Sequence, residues 1–422
     1  MSVTQKARVL RLALHDTLIG HLVGFQGGRN ALIFDEAFTN DPSRPTFTLT
    51  TSAAFPGADA SLREVWARRQ RLHPVLSNLL PEGPLRELVA QGLKVHVDNE
   101  FNLFAHLGRD LPGALIASPL SPDEVPRRLL ARYRDTTAVE LVEQAGVERF
   151  SLAGVQMKLS MKEQDGRYQF AHSGELGDWI LKTPSTRHRN VPLNEYTAMS
   201  LARLAGVDVP DIALVPLADL DRLPQINLPN ERYAYAVRRF DRNDGGRIHM
   251  EDFAQVLLKY PHEKYGSASY EQIGKVLYRF TGDALGNTQQ FARRLLVNVL
   301  LANGDAHLKN WSLLYADAVT PQLSPAYDIV TTSVYLGNET GAALSLGKTR
   351  NWYETDLSRF EAWARKADLP WRAVRVHLLD TMEKTRTLWP DAIKDLPMEE
   401  AHKAQLLAHW RALKPDFRIE AW

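Results

Sequence analysis

The stretch Asn303-Gly304-Asp305-Ala306-His307-Leu308-Lys309-Asn310, with Asp328 eighteen residues past Asn310, decides how the rest of the chain is read. It follows an apolar run, Leu295 to Ala302, whose length and composition predict a buried helix. An aspartate five residues before an asparagine, with a second aspartate a short hairpin later, matches the needs of phosphoryl transfer from a magnesium nucleotide. The first carboxylate must face an acceptor hydroxyl, while the amide oxygen and the second carboxylate hold metal against the phosphates. Asp, Gly and Asn are also common in loops after helices, so these eight residues alone leave an ordinary loop open. The decision lies with partners elsewhere in the chain.

Working outward, Lys182 ends the apolar strand Trp179-Ile180-Leu181-Lys182, where an ammonium can reach the phosphates of a bound nucleotide. Glu195, thirteen residues on, is expected in the first turn of a helix with Asn194 as N-cap and Gly206 as its stop, placed to pair with that lysine. Taken singly, Lys182 is equally a solvated strand end and Glu195 a first-turn charge. Their order, strand lysine, helix glutamate and then the aspartate loop, favours the paired reading. Upstream, Phe150-Ser151-Leu152-Ala153-Gly154-Val155-Gln156-Met157-Lys158 offers one glycine. Small residues at 153 and 154 let backbone N–H groups approach phosphate oxygens, and Lys158 adds charge there, though a plain turn reads much the same. Val237-Arg238-Arg239-Phe240-Asp241-Arg242 follows a strand and is expected to bridge two lobes, its backbone facing an adenine edge; a charged turn is the alternative. His172, His188 and His249 are scattered without metal-ligand spacing, and Trp363, Trp371, Trp389 and Trp410 suit core-facing helix positions.

With 422 residues the chain can hold two or three domains, and its 44% hydrophobic and 24% charged residues describe an ordinary globular protein. A formal charge of +1 gives no global pull toward nucleic acid or membrane. The absence of cysteine excludes disulfides, thiolate metal sites and cysteine nucleophiles. No basic segment followed by an apolar stretch opens the chain, and no apolar run approaches about eighteen residues, so a soluble cytoplasmic protein is expected.

Short strands are predicted at Val9-Leu10-Arg11-Leu12, Ile19 to Gly24, Ala31 to Phe34 and Phe47 to Thr50, then one helix over Pro74 to Leu93 and another from Asn99 to Gly108. A strand over Leu111 to Ile116 precedes a proline-rich connector from Ser118 to Pro126. Strands follow at Lys158 to Met161, Tyr168 to Phe170 (with Asp165-Gly166 as the turn), Ile212 to Val215 and Tyr233 to Val237. Beyond Phe240 the chain reads as mostly helical, apart from the aspartate loop and a hairpin from Ser312-Leu313-Leu314-Tyr315 to Leu323. The class is α+β, divided as an N-terminal β-rich subdomain (1–125), a small lobe with phosphate loop and hinge (126–240) and a helical lobe with the catalytic loop (241–422).

Read jointly, Ser151-Leu-Ala-Gly-Val-Gln-Met-Lys158, Ile180-Leu-Lys-Thr183, Asn194-Glu195-Tyr196, Arg239-Phe-Asp-Arg242, Glu251-Asp252-Phe253, Gly304-Asp-Ala-His-Leu-Lys-Asn310 and Ala326-Tyr-Asp-Ile329 resemble the HipA family of bacterial toxin serine/threonine kinases. The early strands, Leu79-Leu-Pro-Glu-Gly83 and Leu107-Gly-Arg-Asp-Leu-Pro-Gly113 look like the N-terminal subdomain of its long-form members. The resemblance implies a protein-kinase-like two-lobed fold, ATP with Mg²⁺, and phosphorylation of a protein serine or threonine. It implies Asp305 as proton acceptor, Asn310 and Asp328 as metal holders, and Lys182 on the phosphates with Glu195 behind it. Ala153, Gly154, Val155, Gln156, Met157 and Lys158 would line the phosphates, Arg238, Arg239 and Phe240 the hinge, and His307, Lys309, Asn310 and Tyr327 the rest of the pocket. Ser151 matches the family's autophosphorylated serine, where about −1.5 to −2 of added charge would expel the loop from an anionic site. Met157, Arg238 and Met250 depart from the usual residues without touching the chemistry.

The same resemblance implies a small helix-turn-helix antitoxin dimer as partner, operator DNA bound through that complex, and an aminoacyl-tRNA synthetase as the protein substrate in a bacterial cytoplasm. Two other readings stay open. A small-molecule kinase of the aminoglycoside or choline type shares an Asp-to-Asn loop of this length, and a non-catalytic co-repressor would need only the binding surfaces.

Overall fold

Alternating apolar residues near the N-terminus build an antiparallel sheet from β1 (Gln5–Leu14), β2 (Thr17–Phe25), β3 (Arg29–Phe34), β4 (Trp66–Arg69) and β5 (Leu115–Pro119). The strand order is β4-β3-β2-β1-β5, and the short β6 (Val139–Leu141) runs parallel to the start of β1. The computed structural model describes residues 5–127, 129, 139–142, 158–164, 167–170, 177–221, 228–244 and 246–420. No helix among the described residues is long and apolar enough to cross a membrane.

Side chains on a strand point to opposite faces in turn, and here both faces are covered. Leu10, Leu12, Leu14, Leu22, Leu32 and Phe34 pack with Leu76, Phe101 and Phe104 from helices, whereas Val9, Val23 and Ile33 face Val125 and Leu129. Each fully buried Leu, Ile or Phe of this kind contributes about 1.5–3 kcal/mol. Gly24 lets the Phe101 ring lie on the strand, since a Cβ there would sit 2.6 Å from the ring.

The chain forms two compact units. One comprises Met1–Leu152, Asp241–Pro261 and Leu314–Thr320, the other Ala153–Phe240, His262–Leu313 and Pro321–Trp422. In the first unit the expected strand over Phe47 to Thr50 is absent, and a single 3-10 turn, Leu49–Thr51, stands there instead. The reason is a buried carboxylate. Glu251 accepts from Thr48 Oγ1 at 2.6 Å, from the Leu49 N–H at 2.7 Å and from the Tyr315 hydroxyl. His249, pushed down to about 4 by burial and therefore neutral, places Nε2 2.8 Å from the Phe47 carbonyl. Polar groups that a strand would have offered to a neighbour are thus consumed by side chains some 200 residues away in sequence. The expected helix over Pro74 to Leu93 is likewise two helices, Pro74–Ser77 and Gly83–Gly92, because Pro81-Glu82-Gly83-Pro84 breaks the ladder and Gly83 adopts a φ of +55°.

In the second unit, β7 (Lys158–Gln164), β8 (Arg167–Phe170), β9 (Trp179–Lys182), β10 (Ile212–Pro216), β11 (Leu220–Asp221) and β12 (Tyr233–Arg238) form a sheet in the order β10-β12-β9-β7-β8-β11. The Asp165-Gly166 turn lies outside the described residues. The following helix runs Val191–Leu204, three residues earlier than expected. Asn190, not Asn194, is its N-cap, because Pro192 fits a first turn where no N–H partner is needed. Helices Tyr270–Phe280, Ala284–Leu300, Leu357–Lys366, Trp371–Asp395 and Glu400–Ala412 build the rest. Trp363, Trp389 and Trp410 are fully buried as expected, while Trp371 is only half-buried, at the first position of its helix. Strands His249–Asp252, Gly341–Leu346 and Thr349–Asn351 interrupt what had read as helical sequence.

Glu251→Ala is expected to cost about 3 kcal/mol or more, since it strands three donors in the first unit. Burial raises the Glu251 carboxyl to about 7 despite its hydrogen bonds. A raised acid stabilises most in its protonated range, so the gap in urea midpoint between wild type and Glu251→Ala should shrink as pH rises from about 4.5 through about 7.

Candidate active site

Lys182 closes β9 with its side chain turned inward, only 5% exposed, over the ring of Tyr235 from the adjacent strand, 5.5 Å from Nζ. Two carboxylates meet it there, Glu195 from the helix Val191–Leu204 and Asp328 from the segment after the Gln322–Leu323 strand. Burial works against a charged lysine, and the two carboxylates outweigh it, holding the ammonium above its ordinary value. Asp328 adopts a φ of +55°, a left-handed conformation that Asp tolerates better than most residues.

The segment around Asp328 is clamped on both sides. Asn194 is fully buried and makes a two-way amide contact with Thr331, donating Nδ2 to its carbonyl at 3.0 Å and accepting its N–H at 2.9 Å. Tyr327 donates its hydroxyl to the Lys309 carbonyl at 2.8 Å, and its ring lies 5.5 Å from that of Phe240. Thr332 Oγ1 accepts the Gly304 N–H at 2.7 Å. These contacts join the Asp328 segment to the loop 303–310 at two points.

That loop leaves the buried end of helix Ala284–Leu300 and is held by its own polar groups. Asn303 Nδ2 donates to Asn298 Oδ1 at 2.6 Å, and Asn303 Oδ1 accepts the Asp305 N–H at 3.0 Å. Tyr270 and the Trp311 indole both donate to the Ala306 carbonyl, at 2.9 and 3.2 Å. Asn310 spends its amide N–H on the Asp305 carbonyl at 2.8 Å, which leaves Oδ1 as its acceptor. The Asp305 side chain is 46% exposed, so an acceptor can reach it. Gly304 leaves room for the Glu339 carboxylate, which a Cβ there, 2.1 Å away, would displace.

Of the residues singled out from the sequence, Lys182, Glu195 and Asp328 form one cluster, and Asp305, His307, Lys309 and Asn310 share one loop tied to it through Tyr327. Arg238 and Arg239 have their backbone N–H groups committed to the carbonyls of Asp211 and Asp178, both at 2.8 Å. Arg239 Nη1 also lies 3.3 Å from Ser160 Oγ. Ser151 and Ala153, Gly154, Val155, Gln156 and Met157 lie outside the described residues, and of Lys158 only the backbone is described, opposite Lys182 in the sheet. Sequence reasoning missed Asn194 as a clamp, Thr332 and Glu339 beside Gly304, and Tyr265, whose hydroxyl donates to Asp305 Oδ1. For Asn194 the signal was its place next to Glu195; for Tyr265 there was none.

Residues 150–389 match the model of the HipA-like C-terminal domain, and residues 10–118 that of the HipA N-terminal domain. The chain belongs to the HipA family. Y4dM of Sinorhizobium fredii, provisionally named a kinase, is 38% identical over 93% of this chain and 94% of its own length. The serine/threonine-protein kinase toxin HipA of Shewanella oneidensis is 26% identical over 97% of this chain and 94% of its own. A solved complex of HipA, HipB and operator DNA from Shewanella oneidensis contains a chain of the same fold, with a TM-score of 0.71 at 23% identity, covering 96% of this chain and 97% of that one. That match agrees with the α+β architecture of the chain.

Asn194→Ala should remove two buried hydrogen bonds, lowering stability by about 2–3 kcal/mol. Amide hydrogen exchange at residues 329–332 should accelerate more than exchange in the helix Ala284–Leu300.

Proposed function

We propose that this chain transfers the terminal phosphoryl group of ATP to a serine or threonine of a host protein, acting as a HipA-type toxin. The observation that carries this reading is the buried Lys182 ammonium shared between Glu195 and Asp328, tied through Tyr327 to the loop that bears Asp305 and Asn310. In this reading Glu195 keeps the lysine in place while its ammonium faces the phosphates. Asp305, accessible on its loop, takes the proton of the acceptor hydroxyl. Asn310 has an uncommitted amide oxygen and Asp328 a carboxylate, an oxygen pair of the type that suits Mg²⁺. Held by these two oxygens, Mg²⁺ would supply positive charge against the negative charge that develops on the phosphates during transfer. Tyr327 and Phe240 offer paired rings beside the loop, and the backbone of Arg238, Arg239 and Phe240 is assigned to the adenine edge. Because two of its N–H groups are already donated, that edge is read by the carbonyls and the Phe240 N–H. The segment Ala153 to Lys158 is assigned to the phosphates, with His307 and Lys309 completing the pocket, and Ser151 to autophosphorylation that switches the enzyme off.

The partners assigned are a helix-turn-helix antitoxin of the HipB type and, through it, operator DNA. The Shewanella oneidensis complex, in which HipA is found with HipB and operator DNA, supports that assignment. The net charge of +1 agrees with DNA affinity supplied mainly by the antitoxin. The protein substrate assigned is an aminoacyl-tRNA synthetase in the cytoplasm.

Asp305→Asn is expected to lower phosphoryl transfer by about 10²–10⁴-fold and to relieve growth arrest. Asp328→Ala should do the same by loss of metal. The check is incubation with labelled ATP and host lysate, followed by phosphosite mapping. Label on Ser151 and on one dominant foreign serine or threonine supports the reading. Label on a metabolite and on no protein replaces it with a small-molecule kinase.

A further inference from the structure

One contact at the candidate site has no part in the scheme above. Tyr265 follows the 3-10 turn Pro261–Glu263, stands 48% exposed, and donates its phenolic hydroxyl to Asp305 Oδ1. The contact is built by its surroundings. The neighbouring Lys264 carbonyl accepts the Leu308 N–H at 3.3 Å, which anchors this segment to the aspartate loop. The Tyr265 ring meets buried His307 edge-on, with centroids 5.0 Å apart at 80°, and Lys264 Nζ lies 5.5 Å from the same ring. His307 Nε2 in turn stands 4.0 Å from Asp305 Oδ1. A general base must lie within hydrogen-bond reach of the proton it removes. The phenol O–H already occupies that position on Asp305.

We propose that Tyr265 is a placeholder for the acceptor: its hydroxyl covers the Asp305 carboxylate until an acceptor hydroxyl displaces it. This rests on the reading of Asp305 as proton acceptor. Because the side chain is half exposed, it can swing into solvent without opening the core. Its purpose follows from the reaction it suppresses. Without an acceptor, a water oxygen could bond to the γ-phosphorus while the P–O bond to the β-phosphate breaks. The bonding pair would then leave on ADP and the water proton would pass to Asp305. A phenol bonded to Oδ1 occupies the oxygen that would take the water proton, so the nucleotide is conserved until a substrate arrives.

Two measurements on the full chain test this. The first uses nucleotide-free protein carrying carbon-13 at the tyrosine Cζ. The resonance that vanishes in Tyr265→Phe should shift in Asp305→Asn, and an unmoved resonance overturns the contact itself. The second is ATP hydrolysis with Mg²⁺ and no protein acceptor. Tyr265→Phe, which keeps the ring against His307, should raise hydrolysis roughly 3- to 10-fold, the value of one hydrogen bond. Tyr265→Phe with unchanged or lower hydrolysis overturns the proposal, as does phosphate found on Tyr265 of the wild type, which would make it an acceptor. Hydrolysis that persists in Asp305→Asn overturns the role of Asp305 instead, and the two failures are thereby told apart.

Discussion

A buried ammonium between two carboxylates governs the second unit. Lys182 could not stay charged inside the sheet without Glu195 and Asp328, and Glu195 could not be buried so deeply without it. The triad therefore fixes three elements relative to one another: the end of β9, the second turn of the helix Val191–Leu204, and the segment carrying Asp328. Such a pair carries a large desolvation cost, which makes it a poor device for stability alone. Its value lies in holding a cation and an acid poised side by side.

Around the triad, asparagine side chains do the work that regular secondary structure does elsewhere. Asn194, Asn298, Asn303 and Asn310 each present an amide to a loop whose backbone has no ladder to join. An amide can donate and accept at once, so one residue satisfies two groups in an irregular turn. In the loop 303–310 the N–H groups of Gly304, Asp305, His307, Leu308 and Asn310 all find acceptors, the kind of constraint that the proposed role of Asp305 requires. In the first unit Glu251 follows the same logic with a carboxylate in place of an amide, gathering three donors from Thr48, Leu49 and Tyr315.

Much of this was legible in residue order. Apolar alternation located β1, β2 and β3, and the run Leu295 to Ala302 located the buried end of the helix before the aspartate loop. The pairing of Lys182 with Glu195 followed from strand, helix and spacing, and it is present. Phe47 to Thr50 failed as a strand because local β-propensity there is overridden by Glu251 and His249. Asn194 failed as an N-cap because Pro192 and Asn190 already start the helix, which freed the asparagine for Thr331.

Spacing and residue type along the chain by themselves determined the fold class and the pairing of a strand lysine with a helix glutamate, while the family came from the resemblance of the joined motifs. The fold class and that pairing repeat local rules of periodicity and short-range order. Tertiary structure alone decided that Asp328 shares Lys182 with Glu195, that Asp241–Pro261 and Leu314–Thr320 join the N-terminal unit, and that a tyrosine rests on Asp305. Each of these depends on where a side chain finds its partner once the chain is packed. A buried charge or an unsatisfied donor takes whatever partner the fold brings near, however far away it stands in sequence.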